Sequence, residues 1–176
     1  NPLFADFFYF FANLKIEKEK FLGNGQSKSD IGRAPLALGA LTRGITVRDM
    51  ADGFATFANN GVYRQARTFT KVYNSDGELV IDNTQNSQKI LSDKTVNYMN
   101  YCLYNAANYG TGGNAIFAGQ NIAGKTGTTS SNKDRWFCGF TGYYTAAVWC
   151  GYKIPEQIRL YDNSNPAAIL WRKVMQ

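Results

Sequence analysis

The sequence predicts an α+β domain in which an antiparallel sheet is covered by helices. Three observations predict it. Two helices carry strong start signals, at Thr46 and at Ser92. Asp76-Gly77 divides two strand-like runs as a tight hairpin does. A second hairpin, Trp136–Phe140 followed by Ala146–Trp149, closes a strand-rich C-terminal region. With 176 residues, 44% of them hydrophobic, the chain is long and apolar enough for one domain with a real core. It shows no internal repeat and no linker rich enough to divide domains.

The elements follow in order. Pro2 to Leu22 reads as an amphipathic helix, with Phe4, Phe7, Phe8, Phe11 and Leu14 at helical spacing. Asn24 to Arg33 is a polar loop, and Ala34 to Gly44 is apolar, rich in small residues, and then turns. Thr46-Val47-Arg48-Asp49 has the pattern of a capping box, with Asp in place of Glu. The helix it opens has a candidate inward stripe of Met50, Ala51, Phe54, Ala55, Phe57 and Ala58. Asn59-Asn60-Gly61 stops it, because Gly or Asn can take a left-handed conformation. Thr68–Tyr73 and Glu78–Ile81 form the strands of the Asp-Gly hairpin. Ser92-Asp93-Lys94 opens the next helix, with Val96, Met99, Leu103 and Ala106 inward and an end near Asn108-Tyr109-Gly110. The loop Gly110-Thr111-Gly112-Gly113 then leads to Ala115. It lacks the Gly-Lys-Ser/Thr ending of a phosphate cradle. Asn165-Pro166 starts a final helix, Ala167–Met175, expected to pack through Ile169, Leu170 and Val174.

Composition removes several functions. The net charge of +6 is a mild excess, and Lys and Arg are scattered, so no nucleic-acid partner is expected. Lys15 to Lys20 alternates in sign, which suits a solvated helix face. The absence of His excludes Ser-His-Asp and Cys-His catalysis and the commonest metal ligand. Cys102, Cys138 and Cys150 lack metal-ligand spacing. With a turn at Thr141–Tyr144, Cys138 and Cys150 fall three ladder rungs apart, roughly 10 Å. That is too far for a disulfide, so all three are expected free and mostly buried. No metal or cofactor is expected. No segment is long enough to span a membrane. Leu3 to Leu14 is too short and is interrupted by Asp6 and Asn13. The chain begins with Asn1, and the expectation is that it was cut from something longer.

One motif carries chemistry: Gly124-Lys125-Thr126-Gly127-Thr128-Thr129. A Lys-Thr-Gly triplet on a strand is one of three elements in serine enzymes that handle penicillin and D-alanyl peptides. Alone it is weak, since Lys at a strand end is usually solvated and Thr is a good strand former. Four runs in order add to it: Ala34–Thr46, Phe57–Tyr63, Gly110–Gly112 with Ala115, and Lys125–Gly139. Through them the chain resembles the C-terminal part of the transpeptidase domain of penicillin-binding proteins, the bifunctional class A type fitting best. The resemblance is continuous from about Asp30 onward.

The resemblance implies the penicillin-binding protein and β-lactamase-like transpeptidase fold, here incomplete. It also implies acyl transfer from a D-Ala-D-Ala stem peptide to a peptide amine. Lys125 would lie near the substrate carboxylate and a serine of the Ser-x-Asn loop. The hydroxyls of Thr126 and Thr128 would hydrogen-bond that carboxylate. The Thr128 N–H would form half of the oxyanion hole, a donor worth roughly 2.7–4 kcal/mol in related chemistry. Gly127 would let a substrate lie close as an extra strand. Asp134, holding the turn after the triplet, and Trp136, packing, are read as structural.

The chain departs from the family pattern upstream. Ser130-Ser131-Asn132-Lys133 formally satisfies both Ser-x-x-Lys and Ser-x-Asn. It lies after the triplet, in a turn, whereas the nucleophile motif opens a helix well before it. Residues 1–176 are therefore expected to be the C-terminal portion of a single transpeptidase domain, with the nucleophile in a missing N-terminal part. The chain alone is expected to be inactive. Implied partners are peptidoglycan stem peptides, β-lactams and the missing part of the domain. An upstream glycosyltransferase domain and a membrane anchor are implied too, which places the domain on the outer face of the bacterial plasma membrane. Two alternatives stay open: a non-catalytic truncated homologue that binds cell-wall peptide or protein, and a β-lactamase or D,D-carboxypeptidase fragment. The Gly39–Gly44 run and Trp136-Phe137 argue against the second.

Overall fold

A computed structural model describes residues 44–160, 162 and 164–176, and the backbone of 20–21 and 27–28. A first small ladder pairs β1 (Lys20–Phe21) with β2 (Ser27–Lys28), antiparallel. The sequence reading carried a helix through this point and left Ser27 and Lys28 in a loop, so both expectations are corrected there. The rest of the expected helix over Pro2 to Leu22 and the run Ala34 to Arg43 lie outside the described residues.

Helix α1 (Val47–Ala58) starts as its sequence requires. The Thr46 hydroxyl oxygen accepts from the Asp49 N–H at 3.1 Å, and the hydroxyl donates to Asp49 Oδ2 at 2.6 Å. Asp49 thus closes the box on the cap side chain. Asn60 and Gly61, at φ 51° and 81°, end the helix in the left-handed region. Its buried positions are Asp49, Asp52, Gly53, Thr56 and Phe57. Phe57 apart, the expected stripe is only partly buried and Ala58 is exposed. Asp52 is buried because it has work to do: its Oδ2 accepts from the Ala66 N–H at 3.0 Å and holds the chain beyond the next strand.

That strand is β3 (Val62–Arg64), and it pairs with β6 (Ser87–Lys89). Between them lies the Asp-Gly hairpin, β4 (Lys71–Tyr73) with β5 (Leu79–Asp82), exposed throughout and turning at Gly77, φ 81°. Helix α2 (Asp93–Asn108) is capped by Ser92, whose hydroxyl accepts from Thr95 N–H at 3.3 Å. Val96 and Leu103 are buried as expected and Met99 packs beside them, while Ala107 takes the fully buried place expected of Ala106. A single 3-10 turn, Gly113–Ala115, follows.

The main sheet is antiparallel, in the order β7 (Ala123–Thr128), β8 (Asp134–Phe140), β9 (Thr145–Gly151). Helix α3 (Pro166–Met175) closes the chain. The sheet has a cluster on each face. On one, Phe57, Leu91, Val96 and Leu103 meet Ala123 and Phe140. On the other, Ala167, Ala168 and Trp171 of α3 meet Phe137, Ile122 and Ala115. Trp171 has no exposed surface, lies 5.0 Å from the Phe137 ring, and donates from Nε1 to Ala146 O at 3.0 Å. Leu170 and Val174, expected inward, are exposed. The large Trp171 ring fixes which face of α3 turns in, and Ala167 and Ala168 let the helix come close.

Candidate active site

The Lys-Thr-Gly triplet occupies the middle of β7, which is an edge strand of the described sheet. Register places Lys125 across from Cys138, Thr126 from Phe137, Gly127 from Trp136 and Thr128 from Arg135. Side chains alternate between faces. Thr126 and Thr128 therefore share the α3 face, and Lys125 starts from the α1 face.

The backbone of the edge follows from the turn. The Thr129 N–H donates to Asp134 O at 3.3 Å, in continuous register with the ladder. Residues of an antiparallel strand alternate between facing the partner and facing away. Thr128 and Thr126 accordingly present their N–H and C=O groups to the open edge. Lys125 agrees: its Nζ donates to Thr126 O at 3.0 Å and reaches Thr126 Oγ1 at 3.4 Å. The ammonium thus curls back over the strand edge.

Both threonine hydroxyls on the α3 face have partners. Thr126 Oγ1 lies 2.6 Å from Thr111 Oγ1. Thr128 Oγ1 accepts from Arg135 Nη1 at 3.2 Å. Thr111 belongs to the loop Gly110–Gly113, which has close helix packing: a Cβ on Gly112 would lie 2.6 Å from Ala107 Cα. This loop was noted in the sequence but given no role at the site. No sequence motif marks Arg135; its position across from Thr128 follows from the register that the turn fixes.

Gly127 has only modest space, since a Cβ there would sit 3.1 Å from Trp136 Cβ. Gly124 and Gly139 face each other beneath the Phe137 ring. A Cβ on Gly124 would lie 2.7 Å from Phe137 Cζ, and one on Gly139 would lie 2.9 Å from Phe137 Cε1. The ring covers the gap that two facing glycines leave, and it ties β7 to α3 through Trp171.

Ser130-Ser131-Asn132-Lys133 forms the turn between β7 and β8, with both serines exposed, and no helix begins there. The Thr129 hydroxyl accepts from the N–H groups of Lys133 and Asp134, both at 3.0 Å, and so holds this turn. Asp134 was expected to do so. Its side chain instead accepts from Trp149 Nε1 at 2.9 Å. Trp136 packs half-buried, as expected, and its carbonyl accepts from Asn165 Nδ2 at 3.2 Å.

The cysteines are free, with Cys138 across from Ala147 and Cys150 across from Arg135, three rungs apart as expected. Burial pushes the Cys138 thiol up to about 12. Cys102 is exposed, against expectation. Among the described residues no cluster of His, Cys, Asp or Glu could hold a metal ion, and no helix is long and apolar enough to cross a membrane. An open groove of about 860 Å³, walled by Tyr101, Tyr104, Tyr143 and Tyr144, lies at the Ala123 end of β7. The triplet does not line it.

Residues 14–176 match the family model of the penicillin binding protein transpeptidase domain. The chain belongs to the penicillin-binding protein transpeptidase family. Penicillin-binding protein 1A of Clostridium acetobutylicum is 38% identical over 155 residues, which is 87% of this chain and 18% of that protein. Penicillin-binding protein 4 of Bacillus subtilis is 32% identical over 142 residues, 81% of this chain and 23% of that protein. This penicillin-binding protein segment thus spans less than a quarter of either relative. Its fold matches that of PonA1 from Mycobacterium tuberculosis, solved in complex with penicillin V, at a TM-score of 0.75 and 22% identity. That match covers 97% of this chain and 48% of the other. The D,D-transpeptidase domain of a peptidoglycan glycosyltransferase from Eggerthella lenta matches at a TM-score of 0.57 and 25% identity, over 74% of this chain and 32% of that one. The fold class is therefore that of penicillin-binding protein transpeptidase domains, α+β with an antiparallel sheet and covering helices.

Proposed function

We propose that this segment is the C-terminal portion of a serine D,D-transpeptidase domain that cross-links peptidoglycan stem peptides. One observation carries the proposal: among the described residues the triplet lies on an open sheet edge, with Thr126 and Thr128 turning backbone N–H and C=O outward and the Lys125 ammonium folded over them. An open edge receives an extended peptide as a further strand, and main-chain hydrogen bonds fix its register. A terminal carboxylate on that peptide meets the charge of Lys125 and the hydroxyls of Thr126 and Thr128. The Thr128 N–H donates to the carbonyl oxygen under attack and so stabilises the charge that develops there. Gly127 leaves the strand unobstructed at its middle.

The nucleophile comes from the part of the domain that precedes this segment. Its hydroxyl attacks the penultimate D-alanyl carbonyl, the terminal D-alanine leaves with a proton, and the amine of a second stem peptide takes the acyl group. β-Lactams acylate the same serine. The parent carries a glycosyltransferase domain and a membrane anchor upstream and works on the outer face of the bacterial plasma membrane.

The test is labelling by a fluorescent penicillin. The natural polypeptide that carries this segment takes up one label per site, whereas residues 1–176 alone take up none. A stoichiometric adduct on the segment would make Ser130 or Ser131 the nucleophile and overturn the division of labour. A natural polypeptide that takes up no label would overturn the enzymatic reading and leave a binding module.

A further inference from the structure

We infer that Arg135 is a positioning residue for carboxylate recognition at the open edge of β7: it orients the Thr128 hydroxyl and sets a second positive charge beside it. The inference rests on the transpeptidase reading and names a residue that reading leaves out.

Arg135 lies on β8 directly across from Thr128. Its guanidinium donates from Nη1 to Thr128 Oγ1 at 3.2 Å and from Nη2 to Asn132 Oδ1 at 3.1 Å. Both acceptors are neutral. The Nε is buried and has no partner. Among the described residues no carboxylate pairs with Arg135, and the ion pair they do contain joins Lys89 to Asp93. The adjacent acid, Asp134, belongs to the opposite face and accepts from Trp149. A guanidinium carries a positive charge and offers five donors in a fixed fork. Half-buried among neutral partners, this one lacks the counter-charge that partly buried cations ordinarily have.

The consequence for Thr128 is directional. A threonine hydroxyl has one hydrogen and two lone pairs. With one lone pair taken by Nη1, the hydrogen turns away from the cation. The neighbouring Thr126 hydroxyl is already joined to that of Thr111, 2.6 Å away. Because a guanidinium can only donate, Thr128 keeps its hydrogen for a ligand whichever hydroxyl of the Thr111–Thr126 pair donates. An anion arriving at the edge meets an oriented donor, with Lys125 Nζ on the Thr126 side and Arg135 on the Thr128 side.

Asn132 makes the arrangement rigid. It sits in the left-handed region at φ 53°. Its N–H donates to Thr129 O at 2.8 Å, and its carbonyl accepts from the Ile158 N–H at 2.9 Å. The second arm of the guanidinium fork is thus held by a residue whose own backbone is fixed at two points.

The experiment uses the natural polypeptide, with benzylpenicillin and its carboxyl methyl ester as probes. Arg135→Ala lowers the second-order acylation rate with benzylpenicillin by about 10- to 100-fold, the loss expected for a hydrogen bond to a charged group. Arg135→Lys restores part of it, because charge returns without the fork. The ester reacts at the same rate in wild type and both variants, since it presents no carboxylate. An unchanged rate for Arg135→Ala with benzylpenicillin overturns the inference. An equal loss with both probes also overturns it, because a merely structural arginine acts on both alike. A wild type that reacts with neither probe overturns the transpeptidase reading and the inference with it; a normally reactive wild type beside an unaffected Arg135→Ala removes the inference alone.

Discussion

Gly124→Ala tests how tightly the triplet strand is fixed from behind. The added methyl would meet Phe137 Cζ at 2.7 Å and Cys138 O at 2.8 Å, where ordinary contact begins at 3.4 Å. Neither neighbour gives way easily. Phe137 is fully buried with Trp171 against it, ring centroids 5.0 Å apart, and Cys138 O is backbone. Overpacking of this kind costs about 1–3 kcal/mol. Replacing Gly by Ala returns about 0.4–1 kcal/mol through the unfolded chain where the backbone allows it. The net expectation is a loss of about 1–2 kcal/mol. Because β7 is an edge strand among the described residues, it yields more readily than β8, so the triplet shifts outward and penicillin labelling slows as well. Denaturant unfolding of the natural polypeptide reads the first effect and labelling kinetics the second. Phe137→Leu in the same chain removes Cζ and recovers part of the loss, while the Cys138 O contact remains. A Gly124→Ala protein within 0.5 kcal/mol of wild type, labelled at the wild-type rate, would refute the reasoning: the ring would then not be a fixed wall.

Two further outcomes follow from α3 and from Cys138. Asn165→Ala removes the cap of α3, whose Oδ1 accepts from Ala167 N–H at 3.0 Å and Ala168 N–H at 3.3 Å, and also the bond to Trp136 O. Loss of about 1–2 kcal/mol is expected in an unfolding titration, and Asn165→Asp, which keeps the cap, loses less. Cys102, being exposed, reacts with a thiol reagent under native conditions, whereas buried Cys138 reacts only on unfolding. The same thiol makes stability depend on pH in one direction. Its folded value of about 12 lies above the ordinary 9.0, so its contribution is intact below pH 9.0 and declines as the pH rises toward 12. Cys138→Ala flattens that alkaline slope.

The parts that were legible in the sequence are those decided within a few residues. Thr46, Ser92 and Asn165 cap their helices because each side chain bonds an N–H two or three residues on. Asp76-Gly77 and Asn60-Gly61 turn where their glycines take φ near 81°. The β7–β9 hairpins followed from strand runs and turn lengths, and the family runs added the triplet's meaning. The illegible parts depend on distant partners. Ser87-Gln88-Lys89 carries no strand pattern and is exposed, yet it pairs with Val62–Arg64 across the intervening hairpin. Leu170 and Val174 look like core residues, but Trp171 takes the inward position. Arg135 acquires meaning only through cross-strand register, and Thr111 only when the loop after α2 folds against β7.

The edge of β7, open among the described residues, has a cost that the catalytic reading hides. Unpaired N–H and C=O groups in a row are a template for any extended chain, including β7 of a second copy. Protein sheets commonly blunt such edges with lysine. Lys125, with its ammonium folded over Thr126 O, occupies that position here. Two copies that approach edge to edge bring like charges together before their backbones meet. The residue that would welcome a carboxylate is thus also the gatekeeper that keeps the strand free and the protein from zipping to itself.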